Sequence, residues 1–264
     1  MFEKVNLEVP FDGLHWMFDH AETISARNIE RVKALGGGIA IQHRMAYQGE
    51  YFIDRYGTKA AEGTPPIARM LSIGVPVGAG TDATRVASYN PFVGLYWLVS
   101  GKTVGGKLLY PKGNRMERME ALRLYTVGSS WFSSEEGKKG AISSGQLADL
   151  AVLSDDYFSI PEERIKSLTS VLTIVGGKIV YAAEEFSNLA PPPLPILPEW
   201  SPVAKYGGYA RQPVNAANST SLDAHKPLHL GCCFHQPRCR SLNLNQVGDL
   251  SALWGATGCD CFAF

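Results

Sequence analysis

Short apolar runs alternate with helical spacing along the N-terminal part of the chain. Residues 14–18, 38–41 and 75–80 form apolar-rich runs with the length of buried strands. Between them, Ser25 and Pro65-Pro66 are typical helix starts, and a glycine closes each helical stretch. The succession of strand, helix, strand, helix and strand predicts parallel βα units.

The pattern changes after about residue 114. Asn114 and Glu117 are spaced as the cap of a helix. The apolar positions of that helix are predicted to be Met119, Leu122 and Tyr125. We therefore expect one further helix before a region of different structure.

A small β element and an extended tail follow that helix. Two β-rich runs, 170–175 and 178–181, flank Gly176-Gly177, and a two-residue Gly-Gly link is a strong hairpin signal. From Ala190 onward the chain is rich in proline, which predicts an extended segment that crosses a surface.

Side chains able to bind a metal or to transfer a proton follow each of the three predicted strands. His20, His43 and Asp82 come at or just after the strand ends. In α/β barrels the active site is built at the carboxyl ends of the strands. Gln42 and Arg85 lie near the same ends and, with His43, are candidate substrate contacts. A structural histidine, a helix-capping aspartate or hydrogen bonds that only support the site are the alternatives.

Composition and charge narrow the class of protein. Hydrophobic residues make up 45% of the chain and charged residues 19%, as in ordinary globular proteins. Lys plus Arg and Asp plus Glu number 25 each, so the net charge of zero favours neither nucleic acid nor an acidic membrane as a partner. No apolar run approaches the ~18 residues of a transmembrane helix. The first ten residues lack the apolar core of a signal peptide, so we predict a cytoplasmic protein unless the true start lies upstream.

The cysteines are confined to the C-terminal tail. The chain has five, an odd number that cannot all pair within one molecule. Together with nearby histidines they form a candidate soft-metal site, although their spacing is not that of a standard zinc motif. Reduced packed thiols and disulfides are the alternatives. The five are Cys232, Cys233, Cys239, Cys259 and Cys261.

Several segments match the motifs of one enzyme family. The run 145–153 (GQLADLAVL), followed by 172–181 (LTIVGGKIVY), resembles the C-terminal composite β-domain of amidohydrolases. The helix predicted at 118–126 resembles the helix that joins the barrel to that domain. Asp19-His20-Ala21-Glu22 resembles the sixth-strand histidine motif of the family, and Gly80-Thr81-Asp82 resembles its eighth-strand aspartate motif. The chain is thus similar to the amidohydrolase 3 group.

The resemblance extends over about residues 10–183 and implies an α/β fold. It implies the C-terminal portion of a TIM-type (β/α)8 barrel, about strands 6 to 8, with a small composite β-sandwich domain. On this basis we predict a partial metal-dependent hydrolase barrel over 1–135 and a composite β-domain segment over 136–186. An irregular tail with the prolines and cysteines is predicted over 187–264.

The resemblance also implies a chemistry. His20 is similar to the sixth-strand metal ligand, and a neutral imidazole suits zinc, the expected divalent metal. Asp82 is similar to the eighth-strand carboxylate, which contacts the metal and carries the proton of the attacking water. The implied reaction is the hydrolysis of a carbon–nitrogen bond, not a peptide bond, in a small-molecule substrate by a metal-activated water.

One departure from the family limits these expectations. The chain has no His-x-His pair, and the family motifs that precede the sixth strand have no counterpart in the 19 residues before His20. A catalytic zinc usually needs three protein ligands, and only two carry over. We therefore expect a truncated chain that is incomplete as a catalyst. The alternatives are a non-catalytic remnant, a regulatory or binding module, or half of a split enzyme. The partner would be a separate N-terminal half or another copy.

Overall fold

The first sheet carries the predicted βα units. The computed structural model describes residues 1–83 and 87–192. Within them, three parallel strands lie in the order β1 (Met17–Asp19), β2 (Gly38–Gln42) and β3 (Val77–Gly80). Parallel pairing brings the carboxyl ends of all three strands to the same edge of the sheet.

Helices connect and cover this sheet. The Ser25 hydroxyl accepts a hydrogen bond of 3.3 Å from the Asn28 N–H, which confirms the predicted helix start. Pro66 stands directly before another helix, as predicted. Two helices between these, Arg44–Tyr56 and Thr58–Ala61, were not predicted. The helices are α1 (Phe2–Glu8), α2 (Ala26–Ala34), α3 (Arg44–Tyr56), α4 (Thr58–Ala61), α5 (Ile67–Ile73), α6 (Pro91–Ser100), α7 (Arg118–Tyr125), α8 (Val127–Phe132) and α9 (Glu162–Ile165), with 3-10 turns at Lys112–Asn114 and Glu184–Leu189.

The predicted cap of α7 is wrong in detail. The side chain of Asn114 contacts other segments, since its Nδ2 donates to the carbonyls of Glu62 and Pro65 at 3.1 and 3.2 Å. Helix α7 buries Ala121 and Leu124, whereas Met119 is 51% exposed. Leu122 and Tyr125 pack against the core as predicted, so the apolar spacing is wrong only for Met119.

The second sheet is antiparallel. Strands β4 (Leu150–Leu153), β5 (Ser170–Val175) and β6 (Lys178–Ala182) lie in that order. Gly176 and Gly177 have φ angles of 56° and 77°. Two consecutive residues in the left-handed region close a tight hairpin, which explains why glycines join these strands.

One hydrophobic cluster extends through most of the described chain. Helix α6 contributes Tyr96 and Trp97, which are at most 1% exposed, to this cluster. Tyr157 and Ile165, from the connection between β4 and β5, belong to the same cluster. In the part of the chain that the structure describes, no helix is both long and apolar enough to cross a bilayer.

Candidate functional site

His20 and Asp82 meet at the carboxyl edge of the parallel sheet. They follow β1 and β3, which are separated by β2, yet His20 Nδ1 lies 3.8 Å from Asp82 Oδ2. Both residues have positive φ angles, 70° and 49°. Non-glycine residues rarely adopt this region, and at strand ends it turns the chain sharply away from the sheet. Local backbone geometry therefore brings the two predicted ligands together.

Gln42 holds the end of β1 in position. Its Oε1 accepts a hydrogen bond of 3.0 Å from the His20 N–H, and its Nε2 donates to Asp19 Oδ1 at 3.3 Å. These bonds link the end of β2 to the residues on either side of the β1 terminus. A substrate contact by Gln42 stays a prediction.

His43 lies beneath the site rather than on its surface. Its side chain is fully buried, and burial lowers its pKa to about 4. The backbone of Gly80 and Ser88 is near enough to favour the protonated ring, although neither ring nitrogen forms a hydrogen bond of acceptable geometry. His43 is therefore a neutral imidazole at pH 7, and a substrate contact by it stays a prediction.

Two charged residues that the sequence reasoning missed complete the cluster. Arg44 Nη2 lies 3.5 Å from Asp82 Oδ2, and Arg44 Nε lies 3.9 Å from Glu22 Oε1. The Arg44 and Glu22 side chains are only 13% and 14% exposed. Glu22 lies two residues after His20, and Arg44 lies one residue after His43. This proximity to the predicted site residues was the signal available in the sequence.

Unpaired polar atoms are concentrated in this cluster. Among the described residues, the buried side-chain nitrogens and oxygens without a hydrogen bond belong to His20, Glu22, His43 and Arg44. A buried polar group without a partner costs about 1–3 kcal/mol, so such groups are rare outside sites that bind something. The strand ends are therefore the candidate ligand site of the described chain.

The donors fit part of a metal centre. His20 Nδ1 is one of the unpaired atoms, and a carboxylate oxygen lies 3.8 Å away. Two zinc ligands at about 2.0–2.2 Å from the ion are at most about 4.4 Å apart. Residues 1–83 and 87–192 contain no group of three or more His, Cys, Asp or Glu side chains placed to hold a metal. The pair therefore fits two ligand positions.

The remaining predicted site residues, Arg85 and the tail cysteines, lie outside the described residues. Arg85 lies in the gap between residues 83 and 87, outside the described residues. The five tail cysteines also lie outside them. A substrate contact by Arg85 and a metal site in the tail stay predictions.

The family model described as the amidohydrolase family matches residues 1–181. The chain belongs to the amidohydrolase family. This amidohydrolase-family chain is 30% identical over 188 residues to YtcJ of Bacillus subtilis (strain 168), which is provisionally named an amidohydrolase. That match covers 68% of this chain and 35% of YtcJ. A second relative is the N-substituted formamide deformylase of Arthrobacter pascens, 29% identical over 116 residues, or 44% of this chain and 21% of the relative. The chain thus spans about a third or less of these relatives.

Solved structures of hydrolases are also similar to parts of the chain. An uncharacterized metal-dependent hydrolase from Pyrococcus horikoshii OT3 has a TM-score of 0.48 and 22% identity, over 61% of this chain and 33% of that one. The atrazine chlorohydrolase TrzN from Arthrobacter aurescens TC1, complexed with zinc, has a TM-score of 0.45 and 20% identity, over 66% of this chain and 37% of that one.

Proposed function

We propose that this chain supplies two metal ligands, His20 and Asp82, to an amidohydrolase that hydrolyses a carbon–nitrogen bond other than a peptide bond. The observation that carries the proposal is the approach of His20 Nδ1 to Asp82 Oδ2 at 3.8 Å, across an intervening strand. The three parallel strands then correspond to about strands 6 to 8 of a (β/α)8 barrel, and the antiparallel sheet to part of a composite β-domain. The remaining positions around the metal are then taken by water or by groups outside the described residues.

The two side chains have different tasks in this proposal. Bound there, a divalent metal, in our view zinc, would lower the pKa of water toward about 7 and polarise the bond to be cleaved. The imidazole of His20 presents Nδ1 as a ligand, since that nitrogen has no hydrogen-bond partner. Asp82 accepts the proton of the attacking water and returns it to the leaving nitrogen.

The substrate class follows from family membership and the names of the relatives. One relative is named for the deformylation of N-substituted formamides and another provisionally for amide hydrolysis. We therefore propose a small molecule with an amide-type carbon–nitrogen bond as the substrate. N-substituted formamides, with formate release as the measured product, are the first compounds to assay.

Metal content tests this proposal. Elemental analysis of the purified full chain, and of His20→Ala and Asp82→Ala, is the measurement. We expect about one zinc per chain that both variants lose, because each substitution removes one ligand. The expected drop in metal affinity is at least about tenfold.

Two matched controls separate this site from others. His15→Ala removes a partly exposed histidine elsewhere in the fold and should leave the zinc bound. Replacing the five tail cysteines by serine should also leave it bound, whereas its loss there would assign the metal to the tail. A wild-type chain without zinc, or a His20→Ala variant that keeps it, would overturn the proposal.

A second candidate is a binding module or one half of a split enzyme. The observation that favours it is the edge of the parallel sheet, where β1 pairs only with β2 among the described strands. All three β1 residues are exposed. On this candidate, the chain associates with a separate N-terminal half or with another copy of itself.

A further inference from the structure

Arg44 occupies an electrostatically unfavourable position. It is the first residue of α3, a 13-residue helix with no acidic residue in its first turn. The amino end of a helix carries partial positive charge, which disfavours a cation there. With 13% exposure, its side chain is also largely removed from water. Nearby groups must therefore offset the cost of Arg44 at this point.

Two carboxylates from different strand ends supply that compensation. Asp82 follows β3 and lies 3.5 Å from Arg44 Nη2, while Glu22 follows β1 and lies 3.9 Å from Arg44 Nε. Both separations are longer than the 2.7–2.9 Å typical of a charge-assisted hydrogen bond. Arg44 Nε and Glu22 Oε1 also lack hydrogen-bond partners. The guanidinium thus faces both carboxylates without a close bond to either.

We propose that Arg44 is a positioning residue for Asp82, with Glu22 steadying the guanidinium at Nε. The planar guanidinium has several donors, so Nε faces Glu22 while the neighbouring Nη2 faces Asp82. Asp82 Oδ2 is then held between Arg44 and His20 Nδ1, where it shares a metal with His20. This inference rests on the proposed function, because the shared cation is the proposed zinc.

The opposite role for Arg44 makes a contrary prediction. If the guanidinium only competed with a metal for Asp82, its removal would take away a positive charge and strengthen metal binding. If Arg44 orients the carboxylate, its removal weakens binding despite the lost repulsion. Residues that orient metal ligands typically change metal affinity by about 10–100-fold when substituted. The sign of the change therefore decides between the two roles.

Zinc titration of the full chain is the experiment. The quantity compared is the affinity of the binding component that His20→Ala removes, so that zinc bound elsewhere is left out. We expect Arg44→Gln to weaken this component by about 10–100-fold. Arg44→Lys, which keeps the charge without the planar group, should restore part of the affinity. Arg69→Gln is the matched control, since Arg69 is 56% exposed and pairs with Glu30 on the surface; it should leave the affinity unchanged.

Glu22→Gln is a second test that leaves Arg44 in place. It should weaken the same component several-fold, and urea unfolding of each variant checks that the fold is intact. Unchanged or tighter zinc binding in folded Arg44→Gln would overturn the role of Arg44 and leave the proposed function standing. If Arg44→Gln does not fold, unchanged binding in Glu22→Gln has the same consequence. A wild-type chain without the His20-dependent component would overturn both proposals.

Discussion

At the scale of single residues, the polar groups at the strand ends are not optimised for stability. His43 is fully buried without a hydrogen bond of acceptable geometry, and Arg44 and Glu22 keep unpaired atoms away from water. Each such group costs free energy that an apolar side chain of similar shape would not. These destabilising groups lie at the candidate ligand site, where binding of a ligand can offset the lost free energy.

His43 makes stability depend on pH. Its pKa is about 4 in the folded chain and about 6.5 in the unfolded one. Between these values the unfolded chain takes up a proton that the folded chain does not. Stability is therefore lost as the pH falls below about 6.5, by about 3 kcal/mol by pH 4.

The His43→Gln variant isolates this contribution. Because glutamine does not titrate, the free energy of unfolding should fall by about 3 kcal/mol less between pH 7 and pH 4 than in the wild type. Urea unfolding at several pH values measures both slopes. Equal slopes in the two proteins would mean that His43 takes up a proton as readily in the folded chain as in the unfolded one.

At the scale of elements, the contact between α6 and α7 depends on a missing side chain. Gly94 is buried in α6, and the Tyr125 ring at the end of α7 lies against it. The Tyr125 hydroxyl continues to the end of β3, where it donates to the Gly80 carbonyl at 3.3 Å. The glycine thus allows two helices and a strand to meet close to the candidate site.

Gly94→Ala should be destabilising although alanine is the better helix former. The added Cβ would overlap the Tyr125 hydroxyl, and it would lie 2.8 Å from Tyr125 Cζ and 3.3 Å from His43 Nδ1. Alanine's better helix propensity returns roughly 1 kcal/mol of stability. Overpacking of this kind cancels that gain and lowers the free energy of unfolding by about 1–3 kcal/mol more. Urea unfolding measures the difference from wild type.

Two further variants test the cause. Gly113→Ala adds the same methyl group to an exposed 3-10 turn with open space around it, so its stability should be within about 0.5 kcal/mol of wild type. Tyr125→Phe removes the overlapping oxygen and should recover part of the loss when combined with Gly94→Ala. Full stability of Gly94→Ala alone would show that Tyr125 can move aside.

At the scale of the whole molecule, β1 is an exposed edge strand of the parallel sheet among the described residues. Met17 and Phe18 of β1 are 42% and 37% exposed, and Phe2 of the neighbouring α1 is 45% exposed. A groove of about 590 Å³ runs beside them. A free strand edge next to apolar side chains is a template for pairing with another chain.

The purified chain is therefore expected to associate as its concentration rises. Met17→Lys should weaken the association, because a lysine on an edge strand opposes pairing with a second chain. Analytical ultracentrifugation over a range of concentrations measures it. Met119→Lys is the control, since Met119 is 51% exposed but lies on α7. An equal effect of both substitutions would rule out the β1 edge as the contact.

Local sequence features predicted several of the elements. Ser25 begins α2, Gly176-Gly177 closes a hairpin, and the three apolar runs became parallel strands. Such features act over a few residues, through capping bonds, glycine backbone freedom and the burial of short runs, so they can be read without a fold. The chemical residues at the strand ends were recognisable for the same reason.

Contacts between distant segments could not be read in this way. The approach of His20 to Asp82 depends on the turns after β1 and β3, and Arg44 and Glu22 meet only because their strands are neighbours. Asn114, expected to cap a helix, instead ties that region to residues near Pro65. The sequence of this protein thus specified which residues could perform chemistry. Folding specified which of them share one site, because side-chain direction and separation depend on the packing of the whole sheet and its helices.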